Sequence, residues 1–276
     1  MDLSELEELA RAFARGDKVP SEPRHASTVV LLRDAAGGPE AYLLRRVKGM
    51  AFAGGMHVFP GGSVDPDDED AEIGWAGPSA AEWGGWFGAS PGLARALVCA
   101  AVRETFEECG VLLAGESADD LIEDVSSDEW EAERVALEAR EQSLSQLLAR
   151  RGLVLRADLL RPFAHWITPE VEPKRFDTRF FLAEMPAGQA CRHVGGEADE
   201  RVWARPQAAI DQGLRMLPPT HNSLQQLAGY PDVRSALDDP REITLVAPKL
   251  VVLPDDTVKF VVPGDVDYPT SDPRTA

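Results

Sequence analysis

Between Leu93 and Gly110 the chain carries a helical run whose two sides ask for opposite environments. Val98, Val102 and Phe106 recur at the spacing that stacks side chains on one side of an α-helix, so that side requires a core. Glu104, Glu107 and Glu108 gather on roughly the other side. Three carboxylates this close repel one another unless a cation joins them, and hard divalent cations with oxygen ligands are the usual solution. A magnesium or manganese site is therefore expected. Composition alone would make an acidic helix face mere solvated surface. Here, however, Arg103 can pair with Glu107 one turn on, and Gly110 supplies a helix stop.

At 276 residues the chain can hold one large domain, or one domain with additions. Its net charge of −19, with no basic stripe, argues against a nucleic-acid partner, and an enzyme acting on anions would need local cations. Cys99, Cys109 and Cys191 are odd in number and lack CxxC spacing, which points to reduced core thiols rather than a disulfide framework or a zinc knuckle. The acidic N-terminal stretch does not read as a signal peptide, and no apolar run is long enough to span a bilayer. A soluble cytoplasmic protein with no membrane partner is expected.

Asp2 to Arg15 reads as an amphipathic helix within an N-terminal segment, 1–22, that packs on the domain or on a partner. His25–Leu32 and Ala41–Val47 read as strands joined by Gly37-Gly38-Pro39, a hairpin. Lys48 to Gly62 is glycine-rich and fits either a bulged turn before a short strand, His57–Pro60, or a loop that touches phosphate. Residues 65–72 hold six acids in eight positions and read as a solvated loop. Trp75, Trp83, Trp86 and Phe87 then need cover, from the domain, from a substrate or from a second copy in a homodimer.

Ser117 to Arg151 reads as helical throughout, with Trp130, Val135, Leu144, Leu147 and Leu148 toward the core. Strands are expected over Arg161–Thr168 and Arg179–Glu184, separated by a Pro-bounded loop bearing Lys174 and Arg175. His193 to Glu200 is an acidic, glycine-rich loop, followed by a strand over Arg201–Ala204 and helices over Pro206–Gly213 and Thr220–Leu227. Ile243 to Val262 reads as a terminal hairpin within a last segment, 241–276. His57 and His165 are read as satisfied structural groups, and no Ser-His-Asp order supports a covalent acyl mechanism.

The block Arg103-Glu104-Thr105-Phe106-Glu107-Glu108-Cys109-Gly110-Val111, with Phe59-Pro60-Gly61-Gly62 upstream, resembles the Nudix hydrolase signature. That signature is Gly, five residues, Glu, seven residues, then Arg-Glu-U-x-Glu-Glu-x-Gly-U, with U a bulky aliphatic. Thr105 replaces the first aliphatic. If Gly62 opens the motif, the family's first Glu position falls at Asp68, and the Arg arrives at 103 rather than 76, after an insertion of about 27 residues. The resemblance implies an α+β fold, a Nudix-type α/β/α sandwich with a mixed β-sheet, over about 23–240, with insertions near 66–92 and 117–152.

It also implies metal-dependent hydrolysis of a diphosphate in a nucleotide-derived small molecule. Glu104, Glu107 and Glu108, with a carbonyl of Gly61 or Gly62, are then the ligands of Mg2+ or Mn2+, and Arg103 orients one of the glutamates. The general base is Glu104, or one of Glu197 and Glu200 in the later loop. The stretches YLLRRVKGMAFAGGMHVFPGG and AHWITPEVEPKRFDTRFFLAE look like the Nudix branch related to peroxisomal coenzyme A diphosphatases. Coenzyme A or acyl-coenzyme A is then the expected substrate, with Arg45, Arg46, Lys48, Lys174 and Arg175 meeting its phosphates. ADP-ribose, NADH or a nucleotide sugar is the alternative substrate, and a non-catalytic module that senses a nucleotide metabolite is the alternative role.

Overall fold

Val29 to Leu32 are all fully buried although successive side chains point to opposite faces, so their strand must lie between two layers. The computed structural model, which describes residues 3–50, 53–69, 72–192, 196 and 198–269, shows both layers. In chain order the first elements are helix α1 (Leu3–Ala14), β1 (Arg24–Ala35), β2 (Gly38–Arg46), β3 (His57–Val58), β4 (Gly61–Ser63), β5 (Trp75–Ala76), α2 (Ala80–Phe87) and α3 (Pro91–Cys109). They are followed by β6 (Ala114–Gly115), α4 (Asp128–Glu138), α5 (Leu144–Arg151), β7 (Val154–Arg156), β8 (Leu160–Ile167), β9 (Phe176–Glu184) and β10 (Ala198–Ala204). Helices α6 (Pro206–Asp211), α7 (Pro218–Leu227) and α8 (Val233–Asp238), and strands β11 (Leu245–Val246), β12 (Lys249–Val252) and β13 (Val258–Val261), complete the chain.

The main sheet runs β10-β2-β1-β9-β8-β11. It is mixed: β1 pairs β9 in parallel, and β2 and β10 are antiparallel. Val29, Leu31, Tyr42, Leu44 and Phe181 pack beneath α3 on one face, while Val30, Leu32, Leu43 and Leu182 pack against α7 and α8 on the other. This is the expected α+β sandwich. The first hairpin, both later strands and the C-terminal hairpin β12–β13 form where the periodicity places them. Helix α1 packs on that hairpin, with Arg11 Nε donating to Asp256 Oδ1 at 3.2 Å.

One irregularity shapes the site. β1 and β2 pair only near their turn, from Leu32 with Ala41 to Ala35 with Gly38. Beyond that they part, and β3 pairs with β2 while β4 pairs with β1. The segment carrying Gly61 and Gly62 is thereby wedged into the fork.

Two expectations need correction. The stretch 117–127 is not helical, because Ser and Asp side chains there satisfy nearby backbone groups, as Ser117 Oγ does for Asp119 N and Asp124 Oδ1 for Ser126 N. Helices α4 and α5 do form beyond it, although Val135 faces solvent rather than the core. The acid run at 65–72 is not wholly solvated either, since Asp68 is buried. Trp83 and Phe87 of the aromatic insertion are covered by the domain itself, whereas Trp86 stays exposed. Trp83 is fully buried, with its ring centroid 5.4 Å from that of Phe181.

Candidate active site

Helix α3 begins at an N-cap, Ser90, followed by Pro91, and ends at Gly110, whose φ of 67° suits a residue without a β-carbon. Thr105, where an aliphatic is expected, is fully buried and donates its hydroxyl to Ala101 O at 2.7 Å, so the polar atom is satisfied within the helix. The core side of α3 thus fixes where its carboxylates emerge, which is over the fork.

Gly61 N donates to Glu108 Oε2 at 2.8 Å. A β-carbon at Gly62 would collide with the Glu104 carboxylate, and one at Gly61 would collide with Ser27 O. Both glycines are required for this close approach. Arg103 is the hub: Nη1 reaches Glu104 Oε1 at 2.9 Å and Glu107 Oε1 at 3.3 Å, and Nη2 donates to Ser63 O at 2.8 Å. Its Nε and Nη2 also donate to the two oxygens of Asp68 at 3.0 and 2.9 Å. Asp68 stands where the motif calls for Glu, and its spacing from Gly62 was the signal for this role.

Burial pushes the Glu104 carboxyl well above the usual range, against the pull of Arg103 and with the charges of Glu108 and Glu107 adding to the push. Burial likewise raises Glu107, and it raises Asp68 despite the hydrogen bonds from Arg103. Burial opposes the charge of Arg103, but the bond to Asp68 and the carboxylates around it hold it more firmly protonated. Carboxylates are thus crowded around the Arg103 guanidinium. Such hard oxygen donors fit a divalent cation chemically. Among the described residues no three acidic, His or Cys side chains are yet gathered as ligands around one point. Glu104 and Glu107 are turned to Arg103, and Glu108 to Gly61 N.

The remaining expected residues are spread more widely. Arg45 sits on β2 and pairs with Asp199 Oδ1 at 2.7 Å and with Glu200 Oε2 at 2.5 Å. Glu200 lies on β10 rather than in a loop, with its side chain 4.0 Å from His57 Nε2. Glu197 falls outside the described residues. Arg46 closes β2 and is half-buried, while Lys48 is exposed. Arg175 is buried and donates to Thr168 O and Ser21 O, and Lys174 lies 5.3 Å from the centroid of the Phe176 ring. No feature of the sequence flagged Arg134 of α4, which donates to the Glu107 carbonyl at 2.9 Å and so ties the insertion to the end of α3.

Three comparisons bear on this arrangement. The family model for the NUDT19 Nudix domain matches residues 90–225. The acyl-coenzyme A diphosphatase NUDT19 of Gallus gallus is 27% identical over 78% of this chain and 70% of its own length, and that of Xenopus laevis is 24% identical over 83% and 71%. The crystal structure of a Nudix hydrolase from Alicyclobacillus acidocaldarius aligns with a TM-score of 0.67 and 31% identity, covering 80% of this chain and 98% of that one.

Proposed function

The chain belongs to the Nudix hydrolase family, and on that premise we propose that it hydrolyses the diphosphate linkage of coenzyme A or acyl-coenzyme A. The observation that carries this reading is the close approach of Glu104 to Gly62 and of Glu108 to Gly61 N, which sets two carboxylates of α3 against the glycine segment in the fork. The diphosphatase relatives support the substrate class.

In this reading Glu104, Glu107 and Glu108, with a carbonyl of Gly61 or Gly62, hold Mg2+ or Mn2+. When bound, the cation supplies positive charge to the phosphate oxygens and acidifies a water. Arg103, held by Asp68 and Ser63, bridges Glu104 and Glu107 through Nη1 and so fixes both carboxylates. Glu104 is the candidate base on α3, and Glu200 and Glu197 are the other candidates. Arg45, Arg46 and Lys48 border the fork and Lys174 and Arg175 precede β9, as candidates to meet the substrate's phosphates. A cytoplasmic location belongs to the same reading and is supported by Cys99, Cys109 and Cys191, none of which is joined in a disulfide.

The test supplies coenzyme A, acetyl-coenzyme A, ADP-ribose and NADH with magnesium or manganese and identifies products by mass spectrometry. Phosphopantetheine release from the first two is expected. Cleavage of ADP-ribose or NADH alone would refute the substrate assignment, and binding without cleavage of any of them would favour a sensing module. Glu107→Gln should lose about a hundredfold or more in kcat, as expected when charge stabilisation at the reacting phosphate is removed. Full activity in that variant would sink the metal assignment.

A further inference from the structure

A second group of ionisable side chains lies on the α3-facing side of the sheet. Along β1, Ser27, Val29 and Leu31 point toward α3, with Ser27 Oγ donating to Leu97 O at 2.6 Å. Strand alternation puts His25 next in that row. Asp177 of β9 is in register with His25, and Arg179 with Ser27, while His165 of β8 lies opposite Arg179. The other three side chains converge on Asp177. Its Oδ1 meets His165 Nε2 at 2.6 Å and Arg179 Nη1 at 2.6 Å, and its Oδ2 lies 3.3 Å from His25 Nδ1.

Asp177, His165 and Arg179 are buried, whereas the His25 side chain is 44% exposed. Arg179 Nη1 also stands 3.4 Å from His25 Nδ1, and Arg179 Nε is buried without a hydrogen-bond partner. The His25 ring is therefore oriented through Nδ1, and its Nε2 makes no hydrogen bond among the described residues. Stability does not call for such a cluster, since apolar residues at the buried positions would avoid the desolvation cost. The row leads to the active site. Ser27 pairs with Gly62, on which Glu104 rests. At roughly 3.4 Å per residue along a strand and 4.8 Å between strands, the Cα atoms of His25 and Gly62 are about 8 Å apart.

We infer that His25, backed by Arg179, is a subsite for a second phosphate of the substrate, a phosphomonoester on the same nucleotide whose diphosphate is held at Glu104 to Glu108. Nε2–H of His25 donates to the arriving phosphate, while Arg179 stands behind the ring at 3.4 Å from Nδ1. The inference rests on the coenzyme A reading, because coenzyme A carries such a phosphomonoester on its ribose.

Coenzyme A and 3′-dephospho-coenzyme A differ by that group alone. With wild type and magnesium, KM for coenzyme A is expected to be about tenfold the lower, the worth of one charge-assisted hydrogen bond. His25→Gln should raise it about tenfold and abolish the preference. By calorimetry, wild type should likewise bind adenosine 3′,5′-bisphosphate about tenfold tighter than 5′-AMP, and the variant should bind the two alike. An unchanged melting temperature establishes that the variant is folded. A wild type without preference, a variant that retains it, or an equal loss on both substrates overturns the inference. Failure of wild type to cleave either compound refutes the diphosphatase reading instead, and the two product affinities still decide the subsite.

Discussion

Replacing Asp68 by Asn tests how Arg103 is held. The Asp68 side chain is 2% exposed, and its oxygens accept from Arg103 Nε at 3.0 Å and Nη2 at 2.9 Å and from Asp65 N at 2.8 Å. The amide keeps one acceptor, loses the charge and turns an NH2 toward the guanidinium. Breaking one side of a buried pair costs about 3 to 5 kcal/mol. Arg103 retains Ser63 O, Glu104 and Glu107, so the low end, about 3 kcal/mol, applies. At roughly 2 to 4 °C per kcal/mol for a chain near this size, calorimetry should show a melting temperature lower by about 6 to 12 °C. The freed guanidinium would also compete harder for Glu104 and Glu107, so half-maximal activity should require more magnesium. A melting temperature within about 1 °C of wild type, with an unchanged magnesium requirement, would refute the role given to Asp68. The double change Asp68→Leu with Arg103→Met separates stability from orientation. It should recover most of the lost stability, because apolar replacements avoid the desolvation of a buried pair, yet remain inactive because nothing then holds Glu104 and Glu107 in place. An active double variant would show that Arg103 does not orient the glutamates.

Gly62→Ala places a methyl against the movable end of Glu104, so the fold should lose only about 1 kcal/mol by thermal melting while kcat falls more than about tenfold. Glu104→Gln removes a charge that burial and its neighbours disfavour; in EDTA above pH 7 the variant should melt at or above the wild-type temperature while losing hydrolysis, and a lower melting temperature would contradict the crowding. Burial holds His165 below its ordinary 6.5, and although burial alone would raise Asp177, hydrogen bonds from His165 and His25 with the charge of Arg179 hold it below its ordinary 3.8. Both folded-state values are depressed, so these contributions are complete above the ordinary values and are lost as pH falls. Calorimetry should show stability declining from about pH 6.5 downward, and His165→Gln should flatten the upper part of that decline.

The parts legible in the sequence are those where local pattern and tertiary demand agree. The apolar and acidic sides of α3 and its stop at Gly110 follow from spacing within one helix, and the hairpins follow from their own local pattern. The partner of Arg103 was legible only through its spacing from Gly62, not through composition. Asp68 sits in a run whose other members, such as Asp67 and Glu69, are exposed, so composition describes the loop correctly and its most consequential residue wrongly. Strands β5, β7 and β6, each of two or three residues, form a small sheet whose members are too short to leave a period. The His25 to Arg179 cluster draws one residue from β1, one from β8 and two from β9, and only the parallel pairing of β1 with β9 brings them together. Read singly, His165 is the satisfied structural group expected of it, since Asp177 meets it at 2.6 Å. Read with its neighbours, it helps to aim the one member that solvent reaches. A linear sequence carries the identity of such residues but not their adjacency, which is why the helix could be read in advance and the floor beside it could not.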